Sequence, residues 1–333
     1  MSAETVVTTI FMVLVSVIGT AGNFLVVLAI LYKRRLRTIP NYFLCNLALC
    51  DLLTASLSVP LRLVEGFHPG SIPCSIVIAV TVLFDGLSRM NIIFISIDRF
   101  VAVKFPFAYT LYMTLRAVVV LITCGWLVMT AFAILPLLGV GSTSAEVLRH
   151  NHGLCFFSTN LSKAYLLVFL IGFCLLPVVL ATPVNCFLLS VSHRQMRVIH
   201  DQQLNLESTI ADTNSLNFRQ ANVKMAEDHR PNNISQQNCL RTLQLRQRKV
   251  VRMVIVLVGL FSILVLPITL IDLLGAVGQS SVPPIVAKIA VCMIYTNASI
   301  NVFVYAGFNR EFRRAFGQIF QAGRAQIASL WHG

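Results

Sequence analysis

The sequence predicts an all-α membrane protein: a bundle of seven transmembrane helices followed by a short amphipathic surface helix near the C-terminus. Three observations support this fold class. Hydrophobic residues make up 56% of the chain and charged residues only 12%, about half the charge that soluble domains carry. Apolar segments of membrane-spanning length recur along the chain. Basic residues are concentrated in alternate connections between those segments.

The apolar segments number seven, and each has roughly 20 residues or more, enough to cross about 30 Å of hydrocarbon. One such segment alone could be a buried helix of a soluble protein, but seven in series are typical of a membrane bundle. The segments cover about 5–32, 41–65, 74–104, 116–138, 163–192, 247–276 and 285–307.

The basic residues predict the orientation of the bundle. Of the 26 lysines and arginines, 21 lie in or beside the connections after the first, third and fifth segments, or after the seventh. Because basic loops stay in the cytoplasm, we expect a plasma-membrane protein with its N-terminus outside and its C-terminus in the cytoplasm. The net charge of +13 then reflects membrane topology, and no nucleic-acid partner is expected.

Polar composition predicts how the rest of the chain is organised. Residues 1–320 are assigned to the seven-helix domain, and within it the Asn-, Gln- and Ser-rich residues 193–246 are predicted to be a mobile third cytoplasmic loop. Residues 321–333 are assigned to a cytoplasmic tail. Phenylalanines repeat every four residues from Phe308 to Phe316, which predicts a helix lying on the lipid bilayer.

The stretch "SIDRFVAVKFPFAY" (96–109) places Asp98 beside Arg99 at the cytoplasmic end of the third segment. An arginine at that depth can serve simply as a topology anchor that reaches interfacial water. Motifs at corresponding places in other segments favour a functional role. They are Gly22-Asn23 with Val26, Asn46 to Ala48 with Asp51, Pro106 with Tyr109, Trp126, Pro177, Phe261 with Pro267, and "NASINVFVYAGFNREF" from Asn297.

Together these motifs resemble those of rhodopsin-like, class A G-protein-coupled receptors over almost all of the chain. The resemblance implies a receptor that activates a heterotrimeric G protein, with Arg99 paired to Asp98 at rest and meeting the G protein on activation. It also implies coupling or switch roles for six further residues, namely Pro106, Tyr109, Phe261, Pro267, Asn301 and Tyr305.

A buried sodium site follows from the same resemblance, at Asp51 with Ser88, Asn297 and Asn301. A carboxylate in the membrane interior needs a cation or a proton, and hydroxyl and amide oxygens are hard ligands that suit sodium. The alternative is a protonated Asp51 that is hydrogen-bonded to the same residues. No other cofactor is expected.

Two features of the outward side predict covalent modifications. Cys74 begins the third segment and Cys155 lies in the second outer connection, so both face an oxidising compartment where a disulfide persists. With the resemblance, this predicts a Cys74–Cys155 disulfide. Asn160-Leu161-Ser162 is an outward sequon, which makes Asn160 a glycosylation candidate.

Several positions depart from the family pattern. Phe100 replaces the usual tyrosine after Arg99, and Val302 replaces the proline of the seventh segment. "LVLP" (264–267) lacks the Cys-Trp that precedes the proline in the family. Gln247 and Asn185 stand where an acid and a tyrosine are usual. These changes predict less efficient ligand-driven switching and raised basal activity.

The ligand is the least determined part of the prediction. Thr81 stands where amine receptors of the family carry an aspartate, and Tyr295 where opsins carry the retinal lysine. The sequence therefore predicts neither an opsin nor a typical amine receptor, and we expect a small polar molecule or a short peptide. Charged residues that could contact it are Arg62, Glu65, Asp85, Asp272 and Lys288.

"DGLSR" places Asp85 and Arg89 four residues apart, on one face of the third helix and at mid-membrane depth. An unpaired arginine there is costly, so the two are expected to pair and to point into the bundle. Asp85 lies one turn below Thr81. The pair is therefore predicted to form the floor of the ligand cavity, the alternative being a purely structural ion pair.

Other functional classes are less compatible with the sequence. A channel or transporter, the alternative function, would show an inverted repeat or paired broken helices. An enzyme would need a nucleophile, base or metal cluster, and no His-x-x-x-His, Cys-x-x-Cys or glycine-rich phosphate loop is present. Apolar helices in series without a pathway of charges favour signalling by conformational change.

Overall fold

The computed structural model describes residues 3–68, 71–141, 157–191, 193–194, 197, 231–278 and 282–331; for 231–250, 325–331 and a few other helical positions it describes the backbone alone. Within these ranges the regular elements are helices. Seven are long and apolar enough to cross a membrane, so the predicted fold class is confirmed.

Eight long helices follow one another along the described part of the chain. We label them α1 (Ala3–Tyr32), α2 (Ile39–Phe67), α3 (Cys74–Lys104), α4 (Leu115–Leu138), α5 (Lys163–Val191), α6 (Pro231–Ala276), α7 (Pro284–Phe308) and α8 (Arg310–Trp331). A short helix, Pro106–Tyr112, connects α3 to α4. The apolar spans of α1 to α7 begin and end within four residues of the predicted limits.

Two boundaries differ from the prediction. Helix α6 begins at Pro231, so 231–246 is helical rather than part of the predicted loop. Its Gln, Leu and Arg residues are good helix formers, and a helix that is already nucleated extends at little cost. Helix α8 likewise continues to Trp331 through most of the predicted tail. The remainder of the predicted loop, apart from a few helical residues up to 197, lies outside the described residues.

Helix α3 lies at the centre of the bundle. In its most apolar window 72% of residues are buried, against 44% or less in the other six spanning helices. A side chain on almost any face of α3 therefore contacts protein rather than lipid. For this reason the charged and polar residues of α3 are available for contacts with several helices at once.

Helix α1 is joined to α7 by close packing and by hydrogen bonds. A Cβ added at Gly22 would lie 2.8 Å from Val302 of α7, so glycine is required at this approach. Asn23 donates hydrogen bonds to the carbonyl oxygens of Gly19 and Ala298, at 2.9 and 2.6 Å. The buried amide of Asn23 thus ties the two helices together.

Wide turns interrupt α2 and α5 at equivalent places relative to a proline. The π-helical turns Thr54–Ser58 and Phe169–Leu175 each end two residues before a proline, Pro60 and Pro177. Proline has no N–H to donate, and its ring clashes with the carbonyl four residues earlier. In both helices that carbonyl lies inside the π turn, which relieves the clash by widening the helix.

Helix α8 packs part of its phenylalanine face on the bundle, and the predicted contact of this helix with the lipid bilayer stays a prediction. Phe312 and Phe316 are buried, and Phe312 stacks on Tyr305 of α7 with ring centroids 5.7 Å apart. Arg313 donates to the last carbonyls of α7, those of Ala306 and Gly307. These contacts fix the direction in which α8 leaves α7.

Candidate functional site

The first part of the site is an ion pair at the end of α3. Arg99 donates through Nε and Nη2 to Asp98 Oδ2, at 2.8 and 2.5 Å. Both side chains are nearly enclosed, with 9% and 1% of their surface exposed. A topology anchor would extend its guanidinium into solvent, so the geometry favours a specific pairing over the anchor.

Tyr109 joins this pair from the short helix that begins at Pro106. Its hydroxyl donates to Asp98 Oδ1 at 2.8 Å and accepts from Arg99 Nη2 at 3.3 Å. Burial and the neighbouring Asp98 carboxylate raise the pKa of Tyr109 well above its usual range, so the phenol remains a proton donor. Asp98, Arg99 and Tyr109, here called the α3 triad, form one closed hydrogen-bonded ring.

The second part of the site surrounds Asp51 in α2. Ser88 of α3 donates to Asp51 Oδ1 at 3.0 Å, and Asn301 of α7 donates to Oδ2 at 2.7 Å. Asn297 lies nearby, and its Oδ1 is buried without a hydrogen-bond partner among the described residues. All four residues of the predicted sodium site are therefore gathered between α2, α3 and α7.

A small cavity lies against these residues. It has room for about one water-sized sphere, with an internal space of about 10 Å³, close to the minimum that holds one water. Asp51, Ser88 and Asn297 line one part of it, and Asp85 and Arg89 line another. Phe261 of α6 closes the cavity from the side. An ion or a water could thus contact both groups of polar residues.

Tyr305 and Pro267, the predicted switch residues of α7 and α6, each lie in a locally unfavourable environment. Tyr305 is fully buried, yet its hydroxyl has no hydrogen-bond partner among the described residues. A buried unpaired hydroxyl is unfavourable, so a conformation that gives it a partner would be stabilised relative to this one. Pro267 lies inside α6, where proline weakens the helix locally.

Asp85 and Arg89 pair as predicted and point into the bundle. Arg89 Nη2 lies 3.4 Å from Asp85 Oδ2, and the two side chains are 4% and 13% exposed. Sequence reasoning missed the other partners of Arg89, both on α5: its Nη1 donates to the sulfur of Cys174, and its guanidinium lies 5.5 Å from the Phe169 ring centroid. Nothing in the apolar α5 sequence identifies these two residues as partners of a charge.

Thr81 and Tyr295 lie above this pair, toward the Cys74 end of the bundle. Thr81 is buried and donates to the Val77 carbonyl at 2.7 Å. The hydroxyl of Tyr295 interacts with Thr81 and with Arg62 of α2. Arg62 in turn pairs with Glu65 at 3.1 Å. Three helices, α2, α3 and α7, therefore meet here through polar side chains.

The two remaining ligand candidates, Asp272 and Lys288, differ in their exposure and their contacts. Asp272 of α6 is half-buried and lies within electrostatic range of Arg89 and Arg62. Lys288 instead forms a salt bridge with Glu4 at 3.0 Å, with both side chains more than 40% exposed. The ammonium of Lys288 is therefore held at the rim by α1, and a contact between Lys288 and a ligand stays a prediction.

The two modification predictions have different outcomes. Cys74 is disulfide-bonded, but Cys155 lies outside the described residues, so their pairing stays a prediction. Asn160 has no exposed surface. Since a glycan needs an exposed asparagine, this burial does not support Asn160 as a glycosylation site, and its modification stays a prediction.

Comparison with known proteins identifies the family. The profile described as the seven-transmembrane receptor (rhodopsin family) matches residues 22–305, which is most of the chain. The chain belongs to this family. The resemblance carried by the α3 triad, by Asp51 and by the α7 motif is therefore confirmed at the level of the family.

Similar proteins come from vertebrates and insects. The chain is 28% identical to the alpha-1A adrenergic receptor of Oryzias latipes, over 90% of this chain and 63% of that protein. It is 28% identical to the octopamine receptor beta-1R of Drosophila melanogaster, over 92% and 59%, and 28% identical to the human alpha-1A adrenergic receptor, over 90% and 65%. The chain thus spans about three fifths of the length of these relatives.

These relatives bear on one prediction from the sequence. All three are amine receptors by name, so the exclusion of a typical amine receptor finds no support in the comparisons. That exclusion rested on Thr81 alone, at one position of α3. The structure shows two carboxylates, those of Asp85 and Asp272, in the same half of the bundle.

Proposed function

We propose that this protein is a plasma-membrane receptor that senses an extracellular ligand and activates a heterotrimeric G protein by a conformational change. The observation that carries the proposal is the α3 triad in a chain of the rhodopsin family. The basic residues beside the Arg99 end support a cytoplasmic position for that end, with the N-terminus outside.

The α3 triad supports a mechanism of release. In the structure Asp98 and Tyr109 hold Arg99 through three hydrogen bonds, so the guanidinium is unavailable to another protein. A shift of α6 away from α3 would open the Arg99 end and let the arginine exchange these partners for the G protein. A ligand that binds the open state more tightly shifts the population toward it.

The ligand-binding region is proposed to lie in the half of the bundle toward the Cys74 end, with the Asp85–Arg89 pair as its floor. Thr81 and Tyr295 stand above that floor on α3 and α7. Polar side chains that converge inside an apolar bundle are typical of a small-molecule site. A small polar molecule or a short peptide fits this lining.

Nucleotide exchange and ion flux separate the receptor from a channel or transporter. The purified protein is reconstituted in lipid vesicles with a panel of heterotrimeric G proteins, and exchange of bound GDP is measured with and without a library of small polar compounds. We expect the receptor to accelerate exchange on at least one G protein and to pass no ions. Ion flux without exchange would contradict the proposal.

We further propose that Asp51 holds a sodium ion in the resting state. Supporting observations are the cavity at Asp51 and the unpaired Oδ1 of Asn297, an oxygen that faces polar neighbours in the membrane interior. Asp51 Oδ1 and Oδ2 each accept one hydrogen bond, which leaves lone pairs for a cation.

Thermal unfolding tests the sodium site without a known ligand. At a sodium concentration ten times Kd, binding stabilises the folded state by about 1.4 kcal/mol, which raises Tm by a few degrees. We expect a higher Tm in NaCl than in KCl of equal ionic strength, and no difference in Asp51→Asn. Equal Tm values for the unmutated protein in the two salts would leave the protonated Asp51 as the better account.

A further inference from the structure

In the half of the bundle toward Cys74, five charged side chains of the helices are buried or half-buried. Charge in the membrane interior is costly unless an opposite charge lies close to it. The pairing of these groups therefore shows which charge is left for a bound molecule. They are Arg62 and Glu65 of α2, Asp85 and Arg89 of α3, and Asp272 of α6.

Four of the five form two neutral pairs. Arg62 and Glu65 lie 3.1 Å apart, and Arg89 and Asp85 lie 3.4 Å apart. Arg89 also contacts α5, because it donates to the sulfur of Cys174 and lies against the Phe169 ring. Neither arginine can leave its acid without stranding a buried carboxylate.

Asp272 is the fifth charge and has no such partner. Across the part of the chain that the structure describes, its carboxylate makes neither a hydrogen bond nor a salt bridge. It lies within electrostatic range of Arg89 and Arg62, but both guanidinium groups are held by nearer acids. Two arginines thus face three carboxylates, and the group carries a net charge of −1.

The position of Asp272 suits a molecule that enters from the Cys74 end. It lies four residues before the end of α6 at Ala276, about 6 Å along the helix axis. Helical side chains tilt toward the N-terminus of their helix. Since α3 and α6 run in opposite directions, the side chains of Asp272 and Arg89 tilt toward each other.

Aromatic side chains of α4 and α5 pack in the same apolar cluster as Leu273, the residue that follows Asp272 on α6. Cys174 of α5 lies within electrostatic range of Asp272, and its neighbour Phe173 is half-buried. Phe173 packs on Phe132 of α4 with ring centroids 5.0 Å apart, and Phe132 stacks on Tyr165 at 4.4 Å. An aromatic ring bound here would find ring partners next to the acid.

We propose that Asp272 is the counter-ion for a ligand that carries one positive charge, an arylalkylammonium whose ring packs on the aromatic side chains of α4 and α5. The inference rests on the proposed function as a ligand-responsive receptor and names the class of its ligand. In this proposal the acid that pairs with the cationic ligand lies on α6. The uncharged Thr81 of α3 is therefore compatible with a cationic ligand.

Three aromatic probes of similar size and different charge test the proposal. They are phenethylammonium, uncharged 2-phenylethanol and anionic 3-phenylpropionate, added in rising concentration to the purified receptor while Tm is followed. We expect phenethylammonium to raise Tm in a saturable way and the other two to leave it unchanged or to lower it. Equal effects of the three probes on the unmutated receptor would overturn the proposal.

Substitutions locate the site. Asp272→Asn keeps the size of the side chain and strands no partner, and it should weaken the apparent Kd for phenethylammonium at least about tenfold. Glu4→Gln, which removes a carboxylate at the rim, should leave it unchanged. The same Kd in Asp272→Asn would overturn the proposal. A receptor that drives nucleotide exchange but does not distinguish the probes would refute this inference alone, and the proposed function would stand.

Discussion

At the scale of single residues, the structure shows how a charge can be stable inside a membrane protein and still be available for a switch. Arg99 is buried with partners that can be exchanged, an adjacent acid and a phenol from a short connecting helix. Arg89 is buried with partners on two packed helices. The first arrangement can open when the short helix moves, and the second cannot open without separating α3 from α5.

Removing the Tyr109 hydroxyl should therefore raise basal activity. Tyr109→Phe deletes the hydrogen bond to Asp98, and a bond to a charged group contributes about 1.5–3 kcal/mol. Losing it from the resting state alone should increase ligand-independent nucleotide exchange by about tenfold. Tyr112→Phe is the matched control, because Tyr112 lies on the same short helix with an exposed side chain. Basal exchange equal in the two variants would show that Tyr109 does not hold the resting state.

Some contacts of these residues could be predicted from the sequence, and others could not. Side chains four positions apart on a helix are neighbours, so the spacing alone predicts the Asp85–Arg89 pair. The Asp98–Arg99 pair was predicted only from the resemblance to the receptor family. Contacts between helices depend on the rotation and depth of each helix. The sequence therefore gave no sign that Cys174 meets Arg89, that Asn160 is buried or that Lys288 is held by Glu4.

At the scale of the helices, the apolar segments determine where each helix lies, because length and composition leave few alternatives in a membrane. The early start of α6 was not predictable from hydropathy, which detects the part of a helix inside the bilayer and not its extension into water. The π turns of α2 and α5 could have been suspected, since each lies just before a proline inside an apolar segment.

The Asp85–Arg89 ion pair of α3 leads to a prediction about the stability of the helix bundle. Arg89→Leu leaves Asp85 buried without its partner and should lower the free energy of unfolding by about 3–5 kcal/mol. The double variant Asp85→Leu with Arg89→Leu removes both charges and should recover most of that loss. The measurement is thermal unfolding of the three purified receptors. A double variant less stable than Arg89→Leu would mean that the two charges do not act as a pair.

Ligand response of the same double variant distinguishes the two roles left open for the pair. If the pair forms the floor of the ligand site, the double variant should reach the membrane and respond to an activating compound with reduced potency. Unchanged potency would make the pair a part of the scaffold alone.

At the scale of the whole molecule, the two ends of the bundle differ in chemistry. Five enclosed charges with a net charge of −1 lie toward the Cys74 end, and the α3 triad lies at the other end. Between them lie Asp51, its cavity and the unpaired hydroxyl of Tyr305. The cavity at Asp51 is lined by α3, α6 and α7 together with α2. A movement of these helices at one end of the bundle would therefore be felt at the cavity and at the other end.

Nucleotide exchange by Arg99→Ala tests the coupling between the two ends most directly. Arg116→Ala is the control, because Arg116 is an exposed basic residue at the start of α4 on the same side of the membrane. At equal amounts of folded receptor, Arg99→Ala should lower exchange at least about tenfold, the loss expected for a residue that makes a charge-assisted contact only in the active complex. Arg116→Ala should match the unmutated protein. Undiminished exchange in Arg99→Ala would contradict the account, because Arg99 would then be an anchor of α3 and not the group that reaches the G protein.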